Sequence, residues 1–252
     1  MSVFEQFDLP SEPGEDLEFI AATHRRRLVA LLIDTSASMG TTLVDGVRAI
    51  DALNRQLETW LPIVRHEGLG NLRDVEFVVI TFGAGGVAVA SGRGVASAED
   101  GDAFVPTAHL TLAQLGAGGA TPMTEAVELG LDLLEARRQH VQTVHSQQTG
   151  KLRMILISDG SPTDFEGNPT DEWQRLAQRL DQWRRGERVQ LFAFGVPGVD
   201  DDIMRALATA EGYFRLDQLD VAKLLQLILV ATTAEGEPYR DVRRYLDGPE
   251  NQ

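Results

Sequence analysis

The chain predicts a Rossmann-like α/β fold: a doubly wound, mostly parallel sheet with helices on both faces and one short antiparallel edge strand. Three observations predict it. Apolar runs of strand length, without polar alternation, recur at residues 28–33, 75–82, 152–158 and 189–195, as in strands covered on both faces. Segments with apolar residues at helical spacing lie between them. Two of the runs stop on a carboxylate, Asp34 and Asp159, at the end of the sheet outside which open α/β folds collect their ligands.

The elements follow in order. Residues 1–24 read as an acidic arm, mobile or loosely docked, interrupted by Pro10, Pro13 and Gly14. After the first strand, Leu43, Val47, Ile50, Leu57 and Leu61 recur at helical spacing and predict a helix over 42–64. The strand at 75–82 is broken by Gly83, Gly85 and Gly86, and residues 87–90 return as the edge strand of a hairpin. A Gly- and Ser-rich loop over 91–102 and an irregular bridge over 104–112 follow. Thr121-Pro122 opens a helix whose buried stripe is Met123, Val127, Leu131 and Leu134, and which fades over 140–150. Beyond the strand at 152–158, Trp173, Leu176, Leu180 and Trp183 mark a helix face. The strand at 189–195 precedes a short helix over 200–210, a final strand over 213–216 and a closing helix over 221–232. Residues 25–234 thus form one domain without internal repeats, and 235–252 read as an exposed polar tail.

Composition narrows the function. Among 252 residues, 23 Lys and Arg face 38 Asp and Glu, a formal charge of −15, which argues against a nucleic-acid backbone or an anionic membrane as partner. A cation or a basic protein surface suits it better. The absence of cysteine removes disulfides and thiolate metal sites and suits a reducing cytosol. No apolar run approaches the ~20 residues of a membrane span, and the acidic N-terminus has no apolar signal core. The expectation is a soluble cytoplasmic protein.

The chemistry concentrates in Asp34-x-Ser36-x-Ser38 after the first strand, Thr121 at a helix start, and Asp159 after the strand at 152–158. All five are hard oxygen donors of the kind Mg²⁺ prefers, with Mn²⁺ or Ca²⁺ as alternatives, and the set is not that of an ordinary zinc site. Neutral hydroxyls leave the ion electrophilic, able to take an outside carboxylate in an open position. Gly118 and Gly119 let the backbone carrying Thr121 approach. Each piece has a plainer explanation: serines cap helices, Asp-Gly is a common turn, and Thr-Pro starts helices. Their joint placement at one end of one sheet is what points to a metal. Met39, Gly119, Ser161, Thr163 and Asp164 are expected on the rim facing a partner, with Pro162-Thr163-Asp164 chiefly shaping the loop. The five histidines have no ligand spacing.

On these residues the chain resembles the von Willebrand factor A (VWA) domains that carry a metal-ion-dependent adhesion site (MIDAS). The resemblance covers about residues 26–232. It implies that Ser36, Ser38 and Thr121 contact the metal directly, that Asp34 and Asp159 act through water, and that a partner's Glu or Asp completes the shell. Within the family, the stretches 34–39 and 158–164 look most like the bacterial tellurium-resistance-associated (TerY-like) VWA proteins, except that Ala37 stands where those usually carry Gly. That branch implies a stress-response or signalling assembly, with a protein kinase and a PP2C-like phosphatase as partners.

Two other functions compete with this one. A scaffold working without metal would use the arm, the tail and the helix faces. A phosphate-transferring enzyme of the haloacid-dehalogenase kind needs a second Asp two residues after Asp34, where Ser36 stands, and a hydroxyl cannot serve there as a general acid. Gly150-Lys151 is followed by Leu152, so no phosphate loop is present, and neither Ser36 nor Ser38 lies in a nucleophile elbow. The expectation is a binding protein, not an enzyme.

Overall fold

The computed structural model describes residues 25–42, 46–68, 72–91, 103–186, 188–196, 198–216, 221–233 and 238–247. The acidic arm, Leu43 and most of the 91–102 loop lie outside them. Among the described residues, strand β1 (Arg27–Thr35) sits near the middle of a mixed sheet with β2 (Val75–Gly83), β3 (Gly86–Val89), β4 (Val105–Pro106), β5 (Leu152–Ser158), β6 (Val189–Gly195) and β7 (Tyr213–Arg215). The strand order is β3-β2-β1-β5-β6-β7. The pairs β1–β2, β1–β5, β5–β6 and β6–β7 are parallel. Both β3 and the two-residue β4 run antiparallel to β2, so two short strands share the edge where one was expected.

Strand β1 shows why its run lacks polar alternation. Val29, Leu31 and Ile33 point into a core built with helices α1 (Ala49–Glu67), α5 (Val221–Thr233) and α6 (Pro238–Asp247). Leu28, Ala30 and Leu32 point into a second core with α2 (Met123–Val144), α3 (Glu172–Arg185) and α4 (Asp201–Leu207). Successive side chains leave opposite faces of a strand, so a strand with a core on each side must be apolar throughout. Trp173 and Trp183 pack against the second core, as a helix stripe should.

Several boundaries differ from expectation. Helix α1 begins at Ala49, because the chain first makes a 3-10 turn at Ala37–Gly40 and a bridge between Thr42 and Arg48. It continues through Pro62 to Glu67; the carbonyl four residues before Pro62 belongs to exposed Glu58, where water can donate in place of the missing N–H. Helix α2 runs on to Val144 because Val141 is buried while Arg138 and Gln139 both bond Glu135 on its outer face. The largest difference is in the expected tail. Its residues 238–247 form α6, with Val242 fully buried and Tyr239 packed 4.8 Å from Phe192 between ring centroids. Its three arginines and two aspartates gave that segment a polar average, while the burying positions Tyr239 and Val242 are three apart on one face.

The strand order fixes where a ligand belongs. From β1 the chain moves one way to β2 and β3, and from β5 the other way to β6 and β7, so the order reverses between β1 and β5. A crevice opens outside the carboxyl ends of strands at such a switch point. Asp34 lies at the end of β1 and Asp159 directly follows β5. At the opposite end of the sheet, buried Glu76 is held between Arg26 and Arg137.

Candidate metal centre

Asp34 is fully buried at the β1–β5 seam. Its Oδ1 accepts the Ser36 N–H at 2.8 Å, and its Oδ2 accepts the Ser158 hydroxyl at 2.6 Å. The carboxylate is therefore pinned from both strands. Ser36 Oγ and Ser38 Oγ lie 2.9 Å apart, and the Ser38 hydroxyl donates to Asp159 Oδ1 at 2.7 Å. One hydrogen-bonded sequence of oxygens thus runs from Ser36 through Ser38 to Asp159, beside the pinned Asp34.

Thr121 approaches from the far side. The loop before it is drawn in by Thr35, whose carbonyl accepts from Gly118 N at 2.9 Å and Ala84 N at 3.1 Å, and by Ala37, whose N–H donates to Gly119 O at 3.1 Å. Two glycines make this approach possible. A Cβ on Gly83 would lie 2.2 Å from Ser36 N, and one on Gly119, which adopts φ +73°, would lie 2.7 Å from Gly83 O. Thr121 itself is clamped: its N–H donates to Thr163 Oγ1 at 2.8 Å, and the Thr163 N–H donates back to its carbonyl at 3.0 Å.

The donors face a common space. A Cβ added to Gly160 would sit 3.5 Å from Thr121 Oγ1 and 3.7 Å from Ser38 Oγ, so the missing side chain leaves a cradle between those hydroxyls. Electrostatics favour a cation there. Burial is the main force pushing the Asp34 carboxyl up to about 6, against the bonds from Ser158 and Ser36, with repulsion from Asp159 adding to it. Burial also raises Asp159, opposed by the Ser38 hydroxyl. Two desolvated carboxylates side by side are costly unless positive charge joins them. Among the described residues no group of three or more His, Asp or Glu gathers around an ion; a cation here must draw on hydroxyls, and the donor set fits a hard, oxygen-seeking ion.

The structure brings Asp34, Ser36, Ser38, Thr121 and Asp159 together and sorts the rim. Gly119 and Ser161 are exposed. Met39 is not on the rim: it is 1 % exposed and anchors the 3-10 turn in the core shared with α1, since a long apolar side chain placed under the turn gains more from burial than from solvent. Asp164 turns its carboxylate inward, accepting from Glu166 N, Asn168 N and Asn168 Nδ2. These bonds hold its carboxyl below the usual range. Ser158 was not marked from sequence as part of the site; its one signal was a hydroxyl ending an apolar strand directly before Asp159. The Thr121–Thr163 clamp joins residues 42 positions apart and had no sequence signal.

Compared by sequence, the chain matches no family profile and no curated protein. Compared by structure, it is similar to the pilus adhesin SpaC from Lactobacillus rhamnosus GG, with TM-score 0.52 and 17 % identity over 87 % of this chain and 31 % of the adhesin. This chain therefore spans about a third of that protein's length. Weaker likenesses are to the SpRpn10 VWA domain, with TM-score 0.48 and 10 % identity over 84 % of this chain and 99 % of that one, and to proximal thread matrix protein 1 from the mussel byssus. The latter, described with a zinc-occupied MIDAS motif, has TM-score 0.44 and 17 % identity over 81 % of this chain and 47 % of that one. The strand order and parallel pairing make the fold Rossmann-like α/β. No helix among the described residues is long and apolar enough to cross a membrane.

Proposed function

We propose that this protein is a metal-dependent protein-interaction module. Ser36, Ser38 and Thr121 hold a divalent ion, Mg²⁺ by preference with Mn²⁺ or Ca²⁺ as substitutes, while Asp34 and Asp159 supply charge around it. Bound there, the ion offers an electrophilic position to a carboxylate from outside. The partner is a protein presenting Asp or Glu. The observation that carries this reading is the oxygen set at the β1–β5 switch point: buried Asp34 and the Ser36–Ser38–Asp159 sequence, with the Gly160 cradle open between Ser38 and Thr121. The residues of the chain have distinct tasks: Ser158 and the Ser36 N–H hold Asp34 in place, and Thr163 holds Thr121.

The setting is proposed from the sequence. The absence of cysteine supports a cytoplasmic protein, and the motifs at 34–39 and 158–164 support a place in a bacterial stress-response or signalling assembly of the tellurium-resistance type. A protein kinase and a PP2C-like phosphatase are the partners that this placement suggests. Among the described residues no histidine is tied to Ser36 or Ser38 as a base, the Ser38 hydroxyl donating to Asp159 instead, and we assign no catalysis.

Immobilised protein, challenged with host lysate in Mg²⁺, in EDTA, and as Asp34→Ala in Mg²⁺, tests the reading. Metal-bridged partners are expected to disappear in both EDTA and the variant. Loss of one member of a desolvated charged contact costs about 2–5 kcal/mol, at least a tenfold weakening. The same proteins retained equally in all three lanes would overturn the proposal.

A further inference from the structure

Beside the metal centre stands a large apolar side chain that the fold does not use. Phe165 is 58 % exposed, and the loop that presents it is tied to the site at one end by the Thr121–Thr163 clamp. The three bonds accepted by the Asp164 carboxylate hold the loop from within, which sets the backbone on either side of Phe165. Its ring reaches over the β2–β3 hairpin: a Cβ on Gly86 would lie 3.8 Å from Phe165 Cε1. Exposed Ala84 and Gly85 extend that surface toward Gly118 and the Thr121 loop, where a Cβ on Gly118 would lie 4.0 Å from Ala84 Cβ. Phe165 is thus one wall of an almost side-chain-free floor that continues to the hydroxyls of the centre. Isolated exposed apolar residues are ordinary, but one held rigidly above an apolar floor at a binding site acts as a contact for the ligand.

The charges around it restrict what comes. Glu166 is exposed next to Phe165, and the Glu125 carboxyl is raised first by burial and further by Glu172, Glu128 and Asp164. This acidic rim tolerates the one carboxylate that the ion neutralises and opposes a second. Building on the metal-dependent reading above, we propose that the partner segment carries a single metal-directed Asp or Glu beside a bulky aliphatic or aromatic residue that packs on Phe165, and no further acid. The chain's own arm has the right neighbours in Leu17-Glu18-Phe19 but also carries Glu12, Glu15 and Asp16, so the rim disfavours it.

An array of nonapeptides tests this, with Glu fixed at the centre and each flanking position varied in turn, plus the arm peptide 13–21. It is probed with wild type, Phe165→Ser and Asp34→Asn in Mg²⁺, and with wild type in EDTA. For wild type, Leu, Ile, Met or Phe at one flank is expected to strengthen retention roughly tenfold over Gly, as burial of about one such side chain predicts, and added Asp or Glu to weaken it. Phe165→Ser is expected to erase the apolar preference while retention still requires Mg²⁺ and the central Glu. No flank preference, a preference unchanged in Phe165→Ser, or retention of the arm peptide equal to the best uncharged-flank peptide would overturn the proposal. A preference that Phe165→Ser erases but that survives in EDTA and in Asp34→Asn would instead overturn the metal-dependent reading and the metal-directed carboxylate with it, showing Phe165 to act alone.

Discussion

Asp34 concentrates the physical conflict of the site in one side chain. It is fully buried, satisfied by Ser36 N–H and the Ser158 hydroxyl, and still pushed up to about 6 by desolvation. The sign of its effect on stability follows. Its carboxyl titrates near 3.8 when exposed and near 6 in the fold, so between these values the folded state binds more protons than the unfolded one. Its contribution therefore worsens as pH rises through that window, by roughly 3 kcal/mol in all, and stays at that level above it. Asp34→Asn keeps the shape and removes the charge, and its amide can donate to Ser158 Oγ. In EDTA the variant is expected to be more stable than wild type at pH 8 and to lose that advantage by pH 4, a difference that denaturant titrations at the two pH values would show. In Mg²⁺ the order at pH 8 should reverse. An apo wild type as stable as the variant at pH 8 would mean that the buried charge costs nothing. The residue types of this site were legible in the sequence because each stands next to a strand end or a helix start. Ser158 was not singled out, since a serine ending a strand has no mark that distinguishes it from any other.

At the scale of elements, the loop from Leu115 to Thr121 does what no regular element does here: it carries a hydroxyl inward across the ends of β1 and β2. Asn54 of α1 ties its start, donating to Leu115 O and accepting from Leu115 N, both at 2.8 Å. Its end depends on Gly119, where a side chain meets both a left-handed backbone and the Gly83 carbonyl. Gly119→Ala is expected to shift Thr121 outward and weaken Mg²⁺ binding tenfold or more by titration calorimetry, with the circular dichroism of the fold unchanged, because the clash falls on the loop and not on the strands. Unaltered Mg²⁺ affinity would show that this close approach is dispensable. Element types were legible wherever burial leaves a pattern, an unbroken apolar run in β1 and β5 and a helical period in α1. Element ends were less so. The last turn of α2, held by buried Val141, and the whole of α6, where Tyr239 meets Phe192, depend on burial that a polar composition hides.

For the molecule as a whole, the site lies where the strand order reverses, and the proposed ion would couple β1, β5 and the Thr121 loop to one another. An ion bound only by the folded state stabilises it by mass action, about 2.7 kcal/mol at a hundredfold excess over its Kd. For a domain of this size that is a rise in Tm of roughly 5–10 °C. Such a rise in Mg²⁺, absent in K⁺ at equal ionic strength and absent in Asp34→Asn, is the expected result of a thermal melt. An equal response of wild type and variant would assign the effect to general screening of the −15 charge.

Periodicity and composition were enough to announce a layered α/β domain, the strands at its centre and a set of hard oxygen ligands, because each of these is written within a few consecutive residues. Proximity is not local in that sense. The packing of α6, the burial of Met39, the pinning of Asp34 by Ser158 124 residues away, and the Phe165 wall over Gly86 arise only when the chain is closed on itself. Contacts between distant positions are selected by the packing of the whole sheet and its two cores, and no short stretch of the chain holds that information.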